Sequence, residues 1–154
     1  MGVIFLPPKE ILMYFPIKIT KADDVYIGTC RDIPGYSMTG KTQEETEENV
    51  MDSMFAYLQV FYRKQKKPFP MPSPAQDGEI KIYVDVKAQA RMLMWNAFLE
   101  SGISQTDFAK KMGFSRTYIA NLFDFSKQSI SVEAMESVMD ALGYTFSLSA
   151  VKNN

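Results

Sequence analysis

The sequence predicts an α+β protein: a small β-β-β-α-β domain, then an all-α domain that contains a helix-turn-helix and ends in a strand. Two observations support this fold class. In the first half, short apolar runs with a period of two surround one long helical pattern, and from residue 87 onward the apolar spacing is that of helices. We therefore divide the chain into an N-terminal extension (1–12), an α+β domain (13–86) with a proline-rich connection (68–74), and a helix-turn-helix domain (87–154).

The strands of the first domain are predicted from alternation and turn residues. In YFPIKITKA, the apolar residues Phe15, Ile17 and Ile19 fall on one face of an extended segment. Asp23-Asp24 predicts a turn before VYIGTC, and Pro34-Gly35 predicts a second turn before the third strand. The run EIKIYVDV predicts a fourth strand that pairs back on this sheet, with alternating Ile80, Ile82, Val84 and Val86.

One helix of the first domain is predicted to begin at Thr42, whose hydroxyl can accept from the Glu45 N–H while the Glu45 side chain reaches back. Acidic residues in its first turns are favoured by the helix dipole, by about 0.3–1 kcal/mol each. They form either a solvated helix start or an acidic patch for a basic protein partner. An apolar stripe predicts the buried face of this helix: Met51, Met54, Phe55, Leu58, Phe61 and Tyr62.

The second domain contains a helix-turn-helix pattern in GISQTDFAKKMGFSRTYIANLFD. Ser104 and Ser115 are expected N-caps, and Gly113 is expected to close the first of the two helices. Two hydrophobic staples fit the same placement, Ile103 with Phe108 and Phe114 with Ile119. Further helices are predicted over KAQARMLMWNAFLES, closed by Gly102, and over SISVEAMESVMDALG, closed by Gly143. The alternation in YTFSLSAV predicts a terminal strand at 144–150.

The N-terminal residues of a recognition helix face base edges in the major groove. Arg can bond guanine, Asn can bond adenine, and Ala or a Thr methyl can contact thymine. A plain helical hairpin with solvated polar residues is the alternative, although both caps and the apolar spacing would then coincide by chance. The DNA-binding candidates, some for bases and some for phosphates, are Gln105, Thr106, Ser115, Arg116, Thr117, Tyr118, Ala120, Asn121 and Lys127.

The charge of the chain is divided unevenly. The net charge is −1 overall; residues 1–80 contain 9 basic and 11 acidic residues, and residues 81–154 contain 8 and 7. With a net charge of +1 in the second segment, a monomer is expected to bind DNA weakly and in a salt-sensitive way. A homodimer or larger homo-oligomer on palindromic half-sites would raise the affinity, and the strand at 144–150 is the candidate for pairing across it.

Composition excludes several function classes. The chain has no histidine and one cysteine, so His-dependent acid–base catalysis, Ser-His or Cys-His nucleophiles and His-ligated metals are excluded. We expect no enzyme activity, no catalytic residue, no cofactor and no bound metal. No apolar run approaches the roughly 18 residues of a membrane span, so we expect no membrane partner. The cysteine content fits a reduced, cytoplasmic setting.

The order of four motifs resembles the HicB-type antitoxins of HicA/HicB toxin–antitoxin systems. These are an aromatic-Pro first strand, an Asp-x-Pro-Gly turn, a Gly-x-Thr before an acidic helix start, and a Pro-x-Pro-Ser segment after that helix. The second half resembles the Cro/C1 (XRE-type) helix-turn-helix of one branch of the family. The resemblance implies a partial RNase H fold and a HicA-type partner, a small basic toxin that cleaves mRNA. It also implies repression of the protein's own operon through operator DNA.

For contact with such a toxin, the candidate residues are Asp32, Tyr36, Glu44, Glu47 and Glu48. A phage-like repressor, whose first domain senses a ligand or only oligomerises, is one alternative function. A nuclease remnant is the other. It would need a carboxylate cluster for two Mg²⁺ ions, whereas Asp23, Asp24 and Asp32 have simpler roles as turn residues.

Overall fold

A computed structural model describes residues 12–127 and 130–153 of the chain. The predicted extension at 1–12 lies outside the described residues except for its last residue. The chain forms two compact units. The first, called here the sheet unit, holds the described residues up to Met51, residues 71–85 and those from Ser147 onward. The second, the helical unit, holds Asp52–Pro70 and Val86–Phe146.

The sheet unit contains four antiparallel strands in the order β3-β2-β1-β4. They are β1 (Tyr14–Ala22), β2 (Val25–Cys30), β3 (Ser37–Gly40) and β4 (Glu79–Tyr83). The α+β fold class and the β-β-β-α-β order are thereby confirmed. Phe15 and Ile17 are fully buried, which confirms the face predicted for β1. Asp23 and Asp24 form the predicted turn, where Asp23 has a φ of 52°.

Helix α1 (Gln43–Leu58) begins as predicted and continues into a π-helical turn, Gln59–Arg63. The Glu45 N–H donates to Thr42 Oγ1 at 3.1 Å, and Glu45 Oε2 accepts from the Lys41 N–H at 2.8 Å. Of the predicted capping box, the Thr42 bond is therefore confirmed, whereas the Glu45 carboxylate reaches the residue before the cap. The boundary between the two units falls inside α1, after Met51.

The buried face of α1 differs in part from the predicted stripe. Met54 and Leu58 are fully buried as predicted, but Met51 is 55% exposed and Phe61 is 45% exposed. The buried positions are spaced by four from Thr46, a polar residue that the predicted stripe does not include. It can be buried because its hydroxyl donates to the Thr42 carbonyl at 2.8 Å. The buried set is Thr46, Val50, Met54 and Leu58.

The helical unit contains the end of α1 and four more helices: α2 (Val86–Ser101), α3 (Gln105–Met112), α4 (Arg116–Leu122) and α5 (Val132–Ala141). Its core is a chain of aromatic rings with centroids 5.0–6.3 Å apart, in the range of favourable ring pairs. The rings are those of Phe55, Phe69, Trp95, Phe98, Phe108, Phe123 and Phe125. No helix within 12–127 and 130–153 is both long and apolar enough to cross a membrane.

The proline-rich connection leaves α1 and is tied to α2 within the helical unit. The Phe69 N–H donates to Asn96 Oδ1 at 2.7 Å, and Asn96 Nδ2 donates back to the Phe69 carbonyl at 2.9 Å. Trp95 Nε1 donates to the Lys67 carbonyl at 2.8 Å. A segment in which prolines prevent a helix is thus fixed by side chains of α2 instead.

The prediction of a terminal strand at 144–150 is wrong, because residues 144–153 lie in no helix or strand. A strand exists only where its backbone groups bond a neighbouring strand. The ladders among the described residues involve the strands β1, β2, β3 and β4 and no part of 144–150. Alternation in the sequence indicates an extended segment but does not supply that neighbour.

Gly40 is required by the packing of β3 against α1. A Cβ there would lie 2.6 Å from both the backbone nitrogen and Oγ1 of Thr46. We expect Gly40→Ala to lower the free energy of unfolding by about 2–3 kcal/mol, because a backbone atom cannot move aside. Urea denaturation of the two proteins measures this difference. Gly78→Ala is the matched control, since its φ is +81° but the space around it is open, and its cost is about 1 kcal/mol. Equal losses in the two variants would contradict the packing argument.

Candidate nucleic-acid interface

Both helices of the helix-turn-helix begin at the predicted serine caps. Ser104 Oγ accepts from the Asp107 N–H, and Ser115 Oγ accepts from the Tyr118 N–H, each at 3.0 Å. Both serines have extended backbone conformations, as N-cap residues do. The predicted starts of α3 and α4 are therefore confirmed.

The turn between α3 and α4 is closed by Gly113, which has a φ of 70°. The Phe114 N–H donates to the Ala109 carbonyl at 2.9 Å, and the Gly113 N–H donates to the Lys110 carbonyl at 3.2 Å. This is the glycine-based helix end that the sequence predicted. Phe108 and Ala109 of α3 and Ile119 and Leu122 of α4 are buried. The two hydrophobic staples stay predictions.

The exposed start of α4 presents most of the residues predicted to contact bases. Arg116, Thr117 and the preceding Ser115 are exposed, and Tyr118 is 39% exposed. The Tyr118 ring lies 4.5 Å from that of Phe114, which holds it at the edge of the helix. Ala120 and Asn121 are half-buried. A guanidinium, a hydroxyl and a phenol at one helix start can donate to base edges or phosphates.

Gln105 has a structural bond that the sequence did not reveal. Its Nε2 donates to the Arg116 carbonyl at 3.1 Å, which joins the first residue of α3 to the first residue of α4. The Thr106 side chain beside it is half-buried. Gln105 therefore links the starts of the two helices, in addition to the DNA contact predicted for it.

Sequence reasoning missed two arginines that bind the other end of α4. Arg63, in the π-helical turn, donates from Nη2 to the Ala120 carbonyl at 2.7 Å. Arg91, on α2, is 2% exposed, and its Nη1 donates to the Asn121 and Leu122 carbonyls at 2.6 and 3.1 Å. The signal for Arg91 was present in the sequence: it is the only charged residue in the apolar run AQARMLMWNAF. A buried charge in such a run needs polar acceptors from another element.

The segment after α4 contains the predicted phosphate contact, Lys127, which is exposed. Asp124 Oδ1 accepts from the Ser126 N–H at 2.9 Å and from its hydroxyl at 2.6 Å. Burial would raise the pKa of Asp124, but these bonds and the Arg63 guanidinium hold it below its usual value. Burial lowers the pKa of Arg63, and the Asp124 carboxylate opposes that effect.

Two of the candidate toxin contacts have roles inside the sheet unit. Asp32 accepts from the Ser73 N–H at 2.8 Å and from its hydroxyl at 2.7 Å, so it holds the connection that precedes β4. Arg31 also contacts Ser73 and bonds Glu79 Oε1 at 2.9 Å. The Asp-x-Pro-Gly turn and the Pro-x-Pro-Ser segment are thereby joined. Tyr36 is 3% exposed, and its hydroxyl donates to the Val50 carbonyl at 3.2 Å.

The other candidate toxin contacts are accessible on α1. Glu44 and Glu48 are exposed and Glu47 is half-exposed. Residues at these spacings share one side of a helix, so the three carboxylates form a single acidic surface. In the part of the chain that the structure describes, no group of three or more His, Cys, Asp or Glu side chains is placed to hold a metal ion.

Comparison with known proteins finds two families in the order that the fold indicates. The model of the HicB-like antitoxin of bacterial toxin–antitoxin systems matches residues 14–93, and a helix-turn-helix model matches residues 96–148. Antitoxin HicB 1 of Photorhabdus laumondii is 28% identical over 138 residues, which cover 89% of this chain and 86% of that protein. Antitoxin HicB of Escherichia coli K12 is 29% identical over 137 residues, with 88% and 98% covered. Antitoxin HicB of Pseudomonas fluorescens is 26% identical over 121 residues, with 79% and 82% covered.

The Ser115 cap gives a direct test of how α4 begins. We expect Ser115→Ala to lower the free energy of unfolding by about 1 kcal/mol, because the Tyr118 N–H loses its acceptor. Ser115→Asp is the control, since an aspartate also caps a helix and should retain most of that stability. Urea denaturation measures both. If alanine were as stable as aspartate, the capping bond would not contribute to the fold.

Proposed function

Because this chain belongs to the family of HicB-like antitoxins, we propose that it neutralises a HicA-type mRNA-cleaving toxin through its N-terminal domain and represses its own operon through its helix-turn-helix. The observation that carries the proposal is the pairing of a HicB-like sheet unit with a capped helix-turn-helix whose reading side is exposed. Both activities are binding events, and neither requires a catalytic residue, a cofactor or a metal.

The charge of the two compact units supports this division of roles. The described residues of the sheet unit contain 6 basic and 10 acidic residues, a net charge of −4. The helical unit contains 10 and 7, a net charge of +3. Part of that difference comes from the basic run RKQKK at 63–67, which belongs to the helical unit. A positive unit suits phosphates, and a negative unit suits a basic toxin.

For operator binding, we propose that α4 enters the major groove with Arg116, Thr117 and Asn121 towards bases. Lys127, after the helix, would contact a phosphate, together with Ser115 and Gln105 at the helix starts. Tyr118, Ala120 and Thr106 would complete the contact surface. A net charge of +3 on one helical unit is small, so a homodimer on two half-sites about one DNA turn apart would supply further affinity.

A variant of Arg116 tests whether this residue recognises a base or only contributes positive charge. We expect Arg116→Ala to weaken operator binding by about 1–3 kcal/mol and to relax the sequence preference at one base pair. Fluorescence anisotropy with the promoter DNA of its own gene, and with single-base variants of it, measures both effects. Unchanged affinity would mean that α4 does not read DNA in this way.

Lys127→Ala is the matched comparison, because it also removes one exposed cation of the helical unit. It should weaken binding to all sequences about equally and reduce the slope of log K against log salt by about one phosphate contact. Loss of sequence preference in this variant would show that the roles of the two residues are wrongly assigned.

For toxin binding, we propose that Glu44, Glu47 and Glu48 form the surface that meets a small basic partner. They are accessible, share one side of α1, and belong to the negatively charged unit. Such surface charges act mainly on the rate of association, because they steer the encounter. Asp32 and Tyr36 are left out of this surface, since their polar groups are bonded within the sheet unit.

The test uses the small basic protein encoded beside this gene. We expect Glu44→Gln with Glu48→Gln to slow its association about three- to tenfold at low salt, with a smaller effect as salt screens the charges. Stopped-flow mixing measures the rate. The control is Glu133→Gln with Glu136→Gln, the same charge change at two exposed positions of α5. Equal rates for all variants would contradict the proposed surface.

Co-expression decides between antitoxin and stand-alone repressor. An antitoxin should restore growth of cells that express the neighbouring basic protein. A chain that binds its promoter but neither binds that protein nor relieves its toxicity would instead be a phage-like repressor.

A further inference from the structure

The recognition helix α4 ends differently from its neighbours in the helical unit. Helices α2, α3 and α5 are each followed by a glycine with a left-handed backbone: Gly102, Gly113 and Gly143, respectively. α4 is followed by Phe123, with a φ of −101°. The backbone bonds there are long, 3.4 Å to the Ala120 carbonyl and 3.3 Å to the Asn121 carbonyl. The last carbonyls of α4 therefore need hydrogen-bond donors from elsewhere.

Arg63 and Arg91 supply those partners from two different elements of the same unit. Arg63 reaches the Ala120 carbonyl from the π-helical turn, and Arg91 reaches the Asn121 and Leu122 carbonyls from α2. A cation at the C-terminus of a helix is also favoured by the helix dipole. A π-helical turn is an uncommon feature, and here it ends at the residue that binds α4.

Arg91 also fixes the segment beyond the helix. Its Nη2 donates to the Lys127 carbonyl at 3.1 Å, while Nη1 bonds the end of α4. One planar guanidinium thus joins the helix proposed to read bases to the residue proposed to contact a phosphate. Because Arg91 is 2% exposed, its charge is not available to contact a phosphate itself.

We infer that Arg91 and Arg63 are positioning residues for sequence-specific DNA recognition: they fix the distance and angle between α4 and the phosphate-contacting segment at 123–127. The inference rests on the proposed operator binding. Base recognition by paired hydrogen bonds needs side chains held to a fraction of an ångström, whereas phosphate contacts tolerate more freedom. Loosening the end of α4 should therefore reduce specific binding more than non-specific binding.

The test compares Arg91→Lys and Arg63→Met with the wild-type protein. A lysine keeps the charge of Arg91 but cannot place donors on three carbonyls at once, and Met keeps the stem of Arg63 without its donors. For each variant we expect specific operator affinity to fall about tenfold or more, affinity for unrelated DNA to change less than about twofold, and the salt slope to stay as in the wild type. Amide hydrogen exchange of residues 116–127 should also become faster in the free protein.

Lys87→Met is the matched control, because it removes an exposed cation from the same helix, α2, without touching α4. It should change neither the specificity ratio nor the exchange rates. Arg63→Met provides the result if Arg91→Lys does not fold. An equal loss of specific and non-specific affinity, a reduced salt slope, or unchanged exchange at 116–127 would overturn the inference. If the wild type bound no promoter DNA, operator binding itself would fail, and the exchange rates would still decide whether the two arginines anchor α4.

Discussion

A helix of seven residues cannot supply hydrogen-bond partners for all of its own backbone groups, and the interface depends on how other groups supply them for α4. The first four N–H groups and the last four C=O groups of any helix have no partner inside it. In a helix as short as α4, every residue therefore has at least one such group. Ser115 serves the N-terminal end, and two guanidiniums serve the C-terminal end. Ile119 and Leu122 then fasten the helix to the core. The exposed side chains of Arg116 and Thr117 therefore do not have to supply these contacts.

The sheet unit follows a different constraint, the close approach of α1 to the strands. Gly28 and Gly40 leave room where Thr46 and Val50 lie against the sheet. Elsewhere in the unit, Arg31 bonds Glu79, which lowers the pKa of the Glu79 carboxyl, and Asp32 accepts from Ser73. The Asp32 carboxylate, which the sequence offered as a toxin contact, is therefore already hydrogen-bonded inside the sheet unit. The acidic residues that remain accessible at the start of α1 are thereby the better candidates for a binding surface.

Local patterns predicted the parts of the fold that local physics determines. The serine caps, the left-handed Gly113 and the buried face of β1 depend on residues close in sequence, and the structure confirms them. The buried face of α1 was misjudged in part because the burial of Thr46 depends on a bond to the preceding turn. The prediction of a strand at 144–150 was wrong for a single chain, because a strand needs a neighbouring strand to bond and sequence alternation does not identify one. Arg63 and Arg91 lie 57 and 30 residues from the carbonyls that they bind, so no local pattern identifies those carbonyls as their partners.

The way in which the chain divides also bears on how the protein can be dissected. The helical unit is assembled from two separate stretches of sequence, Asp52–Pro70 and Val86–Phe146. A fragment that begins at residue 87, where the apolar pattern changes, would lack Arg63 and the rings of Phe55 and Phe69. It would leave α4 with one anchor and uncover aromatic surface on Phe125 and Trp95. An isolated DNA-binding fragment of this chain therefore needs the second half of α1, so the two proposed activities share one helix and cannot be separated by a single cut.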